Sequence, residues 1–215
     1  MTVRISLHPA GDDKLFGKSK WWGDPELPVD MDYPNYRDDN GEEYPLTFIC
    51  QVNCSDLAAY DTPLPKEGLL CFFARIDYYL GYDDPEVSCE GVWPLEDTRV
   101  IYVAPEDMPR IETKILVDEN DEPMALPCRR IEWQYCASGK DDCDGHKLLG
   151  SPFMIPWEDW DAPCEGWKVL LQVDTDEGDD YTLRFMDDGV FYFLIAPDDL
   201  QKGRFSQVRG FMISM

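Results

Sequence analysis

The sequence predicts a mainly β protein, α+β with few short helices, internally duplicated into two similar β-rich halves of one compact domain. Three observations predict this. Apolar runs are short and rich in aromatic and β-branched residues, as in Val100-Ile101-Tyr102-Val103 and Val190–Ile195, a composition that suits pleated backbone. No stretch keeps a helical apolar period for long, and turn formers interrupt the chain every few residues. The third is an internal echo. Phe48-Ile49-Cys50 leads into Gln51-Val52-Asn53 and Gly68 opens Leu69-Leu70-Cys71-Phe72-Phe73, while an apolar run closes on Gln172-Val173-Asp174 and Gly189 opens Val190–Ile195. Both anchors, glutamine and glycine, recur at an offset of 121 residues. Two matches at one offset imply an ancient duplication, with a single domain over 1–215 and halves of about 1–110 and 111–215.

Taken in order, residues 1–47 are punctuated by Gly11-Asp12-Asp13, Gly23-Asp24-Pro25, Leu27-Pro28 and Asp38-Asp39-Asn40-Gly41, which predicts a loop-rich entry carrying short extended pieces. Within it Lys14-Leu15-Phe16-Gly17-Lys18-Ser19 has a loose counterpart in Lys147-Leu148-Leu149-Gly150-Ser151. Phe48–Val52 is too short for a buried helix and reads as a strand covered on both faces. Cys54–Tyr60 begins with capping residues and predicts a short helix or turn, which Pro63 and Pro65 end. Gly68 then starts a second buried strand, through Arg75, beside the first. Gln51 and Gln172 are placed where a side-chain amide can satisfy backbone groups left over by a turning chain, so their role, like that of Gly68 and Gly189, is structural.

Farther along, Ile115–Val117 and Met124–Pro127 flank the acidic run Asp118–Glu122 as a hairpin, and 129–135 reads as another strand. Trp157, Glu158, Asp159, Trp160 and Asp161 set two indoles at helical spacing beside three acids. As a short helix this stretch turns its Trp stripe to the core; the sharper reading is an aromatic and acidic ligand for a basic partner. Phe205–Met215 supplies a final strand.

The 215 residues carry 44 acids against 19 Lys and Arg, a net charge of −25, yet 44% are hydrophobic and 13% aromatic. The charge therefore surrounds a real core rather than marking disorder. It repels a phosphate backbone or an anionic membrane, so the expectation is no nucleic acid and no membrane, and it attracts a basic protein. Repulsion between copies favours a monomer. No apolar segment resembles a signal peptide or a membrane span, which predicts a soluble cytoplasmic protein whose eight cysteines are mostly reduced thiols.

Catalytic signatures are missing. Only His8 and His146 are available as imidazole bases, and no Gly-x-Ser-x-Gly, phosphate loop or dinucleotide glycine motif occurs. Cys128, Cys136, Cys143 and His146 are the best metal candidates, but their intervals match no compact Cys-x-x-Cys pair, and packing as small hydrophobes explains them without a metal. Asp174–Asp180 and Asp141–Gly145 lack the spacing of a calcium loop and read as solvated turns. No cofactor is called for.

Phe48-Ile-Cys-Gln-Val-Asn-Cys-Ser-Asp-Leu57, Leu64-Pro-Lys-Glu-Gly-Leu-Leu-Cys-Phe-Phe73, Leu148-Leu-Gly150, Leu170-Leu-Gln-Val-Asp-Thr-Asp176, Asp188-Gly189 and Tyr192-Phe193 together resemble the YwqG family, also called domain of unknown function 1963. The sequence departs from that pattern at Phe185-Met186-Asp187, where the family tends to carry Trp-Gly-Asp. The resemblance implies a β-rich duplicated fold in a soluble bacterial protein without assigned chemistry, and some relatives are linked to toxin systems. The functional expectation is a non-enzymatic interaction module whose acidic surface meets a basic protein, a toxin it neutralises being one such partner. The alternative is an enzyme or small-ligand receptor with a pocket between the halves, using carboxylates such as Asp187 and Asp188.

Overall fold

A computed structural model describes residues 2–11, 13–76, 91–136, 144–152, 164, 166–178, 181–185 and 189–213. Trp157–Asp161, Asp187, Asp188 and Cys143 lie outside the described residues. The chain is mainly β. Its strands are β1 (Thr2–Pro9), β2 (Lys20–Trp21), β3 (Glu26–Pro28), β4 (Asn35–Arg37), β5 (Glu43–Pro45), β6 (Thr47–Asn53), β7 (Leu69–Ala74), β8 (Gly91–Val92) and β9 (Thr98–Val103). There follow β10 (Ile111–Thr113), β11 (Arg129–Cys136), β12 (Lys147–Leu148), β13 (Lys168–Asp174), β14 (Asp176–Gly178), β15 (Tyr181–Leu183), β16 (Val190–Ile195) and β17 (Arg209–Ile213). The only α-helix among the described residues is α1 (Pro197–Gln201), and Cys54–Leu57 forms a 3-10 turn in which the Asn53 side chain caps the Ser55 amide. No helix among them is long and apolar enough to cross a membrane.

The amino-terminal stretch departs from the loop-rich expectation. Thr2–Pro9 is one eight-residue strand, because Val3 and Ile5 alternate with the more exposed Arg4 and Ser6 and so bury one face. It pairs antiparallel with β12, Val3 opposite Leu148 and Arg4 opposite Lys147. That partner lies far off in sequence, which a local reading cannot supply.

The chain divides into two compact units. The first comprises residues 1–6, 75–99 and 133–215, the second residues 7–74 and 100–132. In the first, strands pair in the order β8-β17-β16-β13-β12-β1. All six residues of β16 are buried, so its apolar run is covered on both faces. One face packs Cys164, Val169, Val190, Tyr192, Leu194 and Phe211; Phe191 meets Trp93 with ring centroids 4.6 Å apart and stacks on Phe185.

In the second unit the order is β11-β2-β6-β7-β9. Here too every residue of β7 is buried, and Leu27, Leu46, Phe48, Leu69, Cys71, Phe73 and Val103 form a core cluster. Two hairpins stand apart from this sheet. One is β4–β5, with Tyr36 opposite Tyr44. The other joins Val117 to Pro123 across the Asp118–Glu122 loop, the hairpin read from sequence.

The echo corresponds to a repeated local geometry. Phe48 faces Phe73 and Cys50 faces Phe72, with a bulge between; Val169 faces Leu194 and Leu171 faces Phe193, with a bulge at the same place. Gly68 has φ +92 and a side chain there would collide with the Val103 carbonyl, so only glycine fits this entry to β7. At Gly189 the obstacle is the Phe185 carbonyl, 2.5 Å from where a Cβ would stand.

Candidate functional site

In the second unit the residues before β2 wrap around the end of β6 and build a buried polar knot. β2 pairs with β6 so that Lys20 lies opposite Gln51 and Trp21 opposite Cys50. Trp22 then takes a left-handed conformation, φ 54, an uncommon state for a bulky residue. It is held there by its amide, which donates to the bulge carbonyl of Ile49 at 2.8 Å. This sharp turn brings Glu26 back beside Lys20.

The Lys20 ammonium and the Glu26 carboxylate form an ion pair with side chains 7% and 2% exposed. Glu26 also accepts from the Gln51 side-chain amide and from the Gly17 amide. Gln51 donates to the Lys18 carbonyl at 2.8 Å, and its own oxygen accepts from the Glu26 amide at 3.2 Å. Its neighbour Asn53 donates from Nδ2 to the Gly17 carbonyl and from its backbone amide to Ser19 Oγ, which in turn donates to Asp56 at 2.7 Å. With these partners in place the buried charges are matched, which is what keeps such groups tolerable away from water.

The first unit has a second knot at the corresponding place. Lys147 lies opposite Gln172 and Leu148 opposite Leu171; Leu149 is left-handed, φ 62, and donates to the Leu170 carbonyl at the bulge. The Gln172 amide donates to the Gly145 carbonyl at 2.8 Å, and Lys147, completely buried, donates to the Ser151 carbonyl. Where the second unit uses Ser19 and Asn53, this one uses His146 and Asp174: the Asp174 amide donates to His146 Nδ1 at 3.0 Å. The imidazole's Nε2 lies 3.5 Å from Asp176 Oδ2, which also accepts from the Tyr181 hydroxyl. The His146 hydrogen bond, more than that of Tyr181, holds the Asp176 carboxyl below its usual range.

The chemistry open to these knots is limited by what their groups already do. Burial raises the thiols of Cys50 and Cys71, and pushes Cys54 up to about 12 and Cys164 up to about 11. Thiols so placed stay protonated and are poor nucleophiles and metal ligands. Asp24, half-buried near Lys20, is raised by burial and pulled back by the lysine charge. Among the described residues no three His, Cys, Asp or Glu side chains come together as a metal-binding group. Cys128 packs on Gly23, and His146 Nδ1 holds a backbone amide.

The amino-acid sequence matches the family model described as a domain of unknown function (DUF1963) over residues 19–212. The chain belongs to the DUF1963 family. No curated protein matches it. The DUF1963 match opens on Ser19, so it takes in the side chains of both knots but not the Gly17 and Lys18 backbone groups.

Sequence reasoning placed Gln51, Gly68, Gln172 and Gly189 in these elements but missed Lys20, Glu26 and Lys147. A sharper echo would have found the lysines. Lys20-Trp21-Trp22-Gly23-Asp24-Pro25 and Lys147-Leu148-Leu149-Gly150-Ser151-Pro152 stand 127 residues apart. The structural counterpart of Lys147 in this DUF1963 chain is therefore Lys20 and not Lys14. The reading of Asp174–Asp180 as a solvated turn is likewise corrected at its start: Asp174 accepts from the Gly145 and Thr175 amides, and Asp176–Gly178 is β14.

Proposed function

We propose that this protein is a non-enzymatic interaction module that offers an acidic, pre-ordered surface to a basic protein. A toxin neutralised by that contact is one partner of this kind, as the family resemblance implies. The observation that carries the reading is a pair of acid-tipped hairpins in the second unit built to the same plan. Asp38 Oδ1 accepts from the amides of Asn40 and Glu42, and Asp118 Oδ1 accepts from the amides of Asn120 and Glu122. The amide of Asp38 donates to the Glu42 carbonyl and that of Asp118 to the Glu122 carbonyl, closing each tip. Those amides, Glu42's and Glu122's foremost, hold the Asp38 and Asp118 carboxyls below their usual range.

Each tip thereby fixes its exposed neighbours, Asp39 and Glu42 in one and Glu119, Asp121 and Glu122 in the other, with no basic residue inside either run. Ordering a charged loop before contact lowers the entropy cost of binding, and a single sign of charge steers an oppositely charged partner. The buried carboxylate Glu26, by contrast, is matched inside the fold.

The test is affinity capture from the native host at low salt and at about 0.15 M salt, where the screening length is about 8 Å. The expected result is a specific basic protein whose retention falls at least about tenfold, roughly 1.4 kcal/mol, when Asp39→Asn, Glu42→Gln, Glu119→Gln, Asp121→Asn and Glu122→Gln are combined. Recovery of no specific partner at either salt, or capture indifferent to the five substitutions, counts against the reading.

A further inference from the structure

In the first unit an imidazole stands between a backbone amide and a carboxylate, and its two nitrogens have different duties. Nδ1 of His146 accepts the Asp174 amide at 3.0 Å. A ring nitrogen that accepts an N–H carries no proton, so the ring is neutral with its hydrogen on Nε2. That nitrogen faces Asp176 Oδ2 at 3.5 Å. The side chain is 5% exposed and the His146 carbonyl is fixed by the Ile5 amide, so the ring has little freedom to turn away.

The charged and titratable groups around it come from four strands. Asp174 ends β13 with both carboxylate oxygens occupied by amides, and Asp176 begins β14. Tyr181, at the start of β15, donates to Asp176. Arg4 of β1 pairs with Asp144 at 3.4 Å, its guanidinium lying against Gly145.

The second unit supplies an internal comparison. There Ser19 Oγ accepts the Asn53 amide at 2.8 Å and donates to Asp56 at 2.7 Å. The layout is similar, an acceptor for the last amide of the glutamine strand and a second polar group facing an acid beyond it, at 2.7 Å for Ser19 and 3.5 Å for His146. A hydroxyl performs both tasks at any pH. An imidazole performs both only while neutral.

We infer that His146 is a pH-sensitive latch between the end of β13 and the β14–β15 hairpin. Proton uptake at Nδ1 turns the acceptor into a donor that opposes the Asp174 amide, so that bond breaks. The same proton strengthens the hold on Asp176, because an imidazolium faces a carboxylate. Acidification thus transfers the ring from the strand to the hairpin and loosens the junction at Thr175, while the hydroxyl-based knot of the second unit stays as it is.

Nitrogen NMR of the labelled full-length chain tests this between about pH 7.5 and pH 5, the range in which histidine changes charge. The Asn53 amide, whose acceptor is the Ser19 hydroxyl, is the internal control in the same tube. The expected result is a His146 ring protonated at Nε2 alone near pH 7.5, and an Asp174 amide signal that moves in step with His146 as pH falls. Hydrogen exchange at the Asp174 amide, corrected for the intrinsic effect of pH, rises at least about tenfold across that step, whereas the Asn53 amide does not change. His146→Ser, copying Ser19, leaves the Asp174 amide unresponsive to pH. A proton on Nδ1 near pH 7.5, or an Asp174 amide indifferent to the His146 titration, overturns the inference. Those two wild-type readings decide the matter even where His146→Ser fails to fold.

Discussion

Glu26 is a single carboxylate holding three donors, those of Lys20, Gln51 and Gly17. Removing its charge while keeping its shape, as in Glu26→Gln, leaves the buried Lys20 ammonium without its paired carboxylate, only the half-buried Asp24 remaining near it. Breaking one side of a buried pair costs about 3–5 kcal/mol, whereas replacing both sides by apolar groups is often neutral. Glu26→Gln should therefore lower the denaturant midpoint sharply, and the double variant Lys20→Met with Glu26→Leu should recover part of the loss, the Gln51 and Gly17 donors left without their acceptor keeping the rest; urea unfolding with unchanged slope measures both. A double variant as unstable as the single one contradicts this account. Gly68 offers a second contrast. Gly68→Ala must distort φ +92 backbone and displace the Val103 carbonyl, whereas Gly41→Ala, at φ +84, meets nothing within 4 Å, so the first should cost at least about 1 kcal/mol more than the second. Gly68 was legible because a glycine opens an apolar run. Glu26 was not, since 44 acidic residues give no means of ranking one above the rest until the turn at Trp22 places it beside Lys20.

At the scale of elements, what was legible followed from apolar content. The runs that became β6, β7, β13 and β16 announce themselves because their apolar side chains are buried on both faces. β2 and β12, two residues each, carry no period and are defined by pairing with strands remote in sequence. The 3-10 turn at Cys54–Leu57 follows its capping residue Asn53, as such signals predict. The β14 half of the β14–β15 hairpin was hidden inside an acidic run, and the groups that fix it, His146 and Tyr181, come from outside that run. Asp176 is held below its ordinary value of 3.8 chiefly by His146, with Tyr181 assisting. A depressed carboxyl contributes stability that is present above its unfolded value and is lost as pH falls through the folded one. The hairpin should accordingly hold above about pH 4 and loosen below it. Tyr181→Phe removes one donor, raises the Asp176 value toward 3.8 and shifts the loosening to higher pH. Carboxyl-carbon NMR titration of Asp176 reads that shift directly, and an unmoved midpoint in Tyr181→Phe rules out the phenol as a contributor.

For the whole molecule, total charge was legible and its distribution was not. Matched strands tell which segments resemble one another, not which pack together, and each compact unit draws on stretches far apart in sequence. The excess charge spreads over both: residues 7–74 with 100–132 hold 21 acids and 9 bases, and the remainder 23 acids and 10 bases. Neither unit can neutralise itself, so folding concentrates repulsion that the extended chain relieves. Most ion pairs described on the surface, such as Arg37 with Glu43 and Arg110 with Asp30, are well exposed and are worth about 0–1 kcal/mol each. Repulsion among the unpaired acids should outweigh them. Salt screens both effects, with a screening length that falls from about 30 Å at 0.01 M to about 3 Å at 1 M, and the dominant one determines the sign. The melting temperature should therefore rise as sodium chloride is raised from about 0.01 M to about 0.5 M, by a larger amount than for the chain with Asp39, Glu42, Glu119, Asp121 and Glu122 converted to amides. Calorimetry at fixed pH decides it: a melting temperature that falls with salt would mean that attractive pairs govern the surface, and the acidic face would then be compensated within the molecule instead of standing open to a cationic partner.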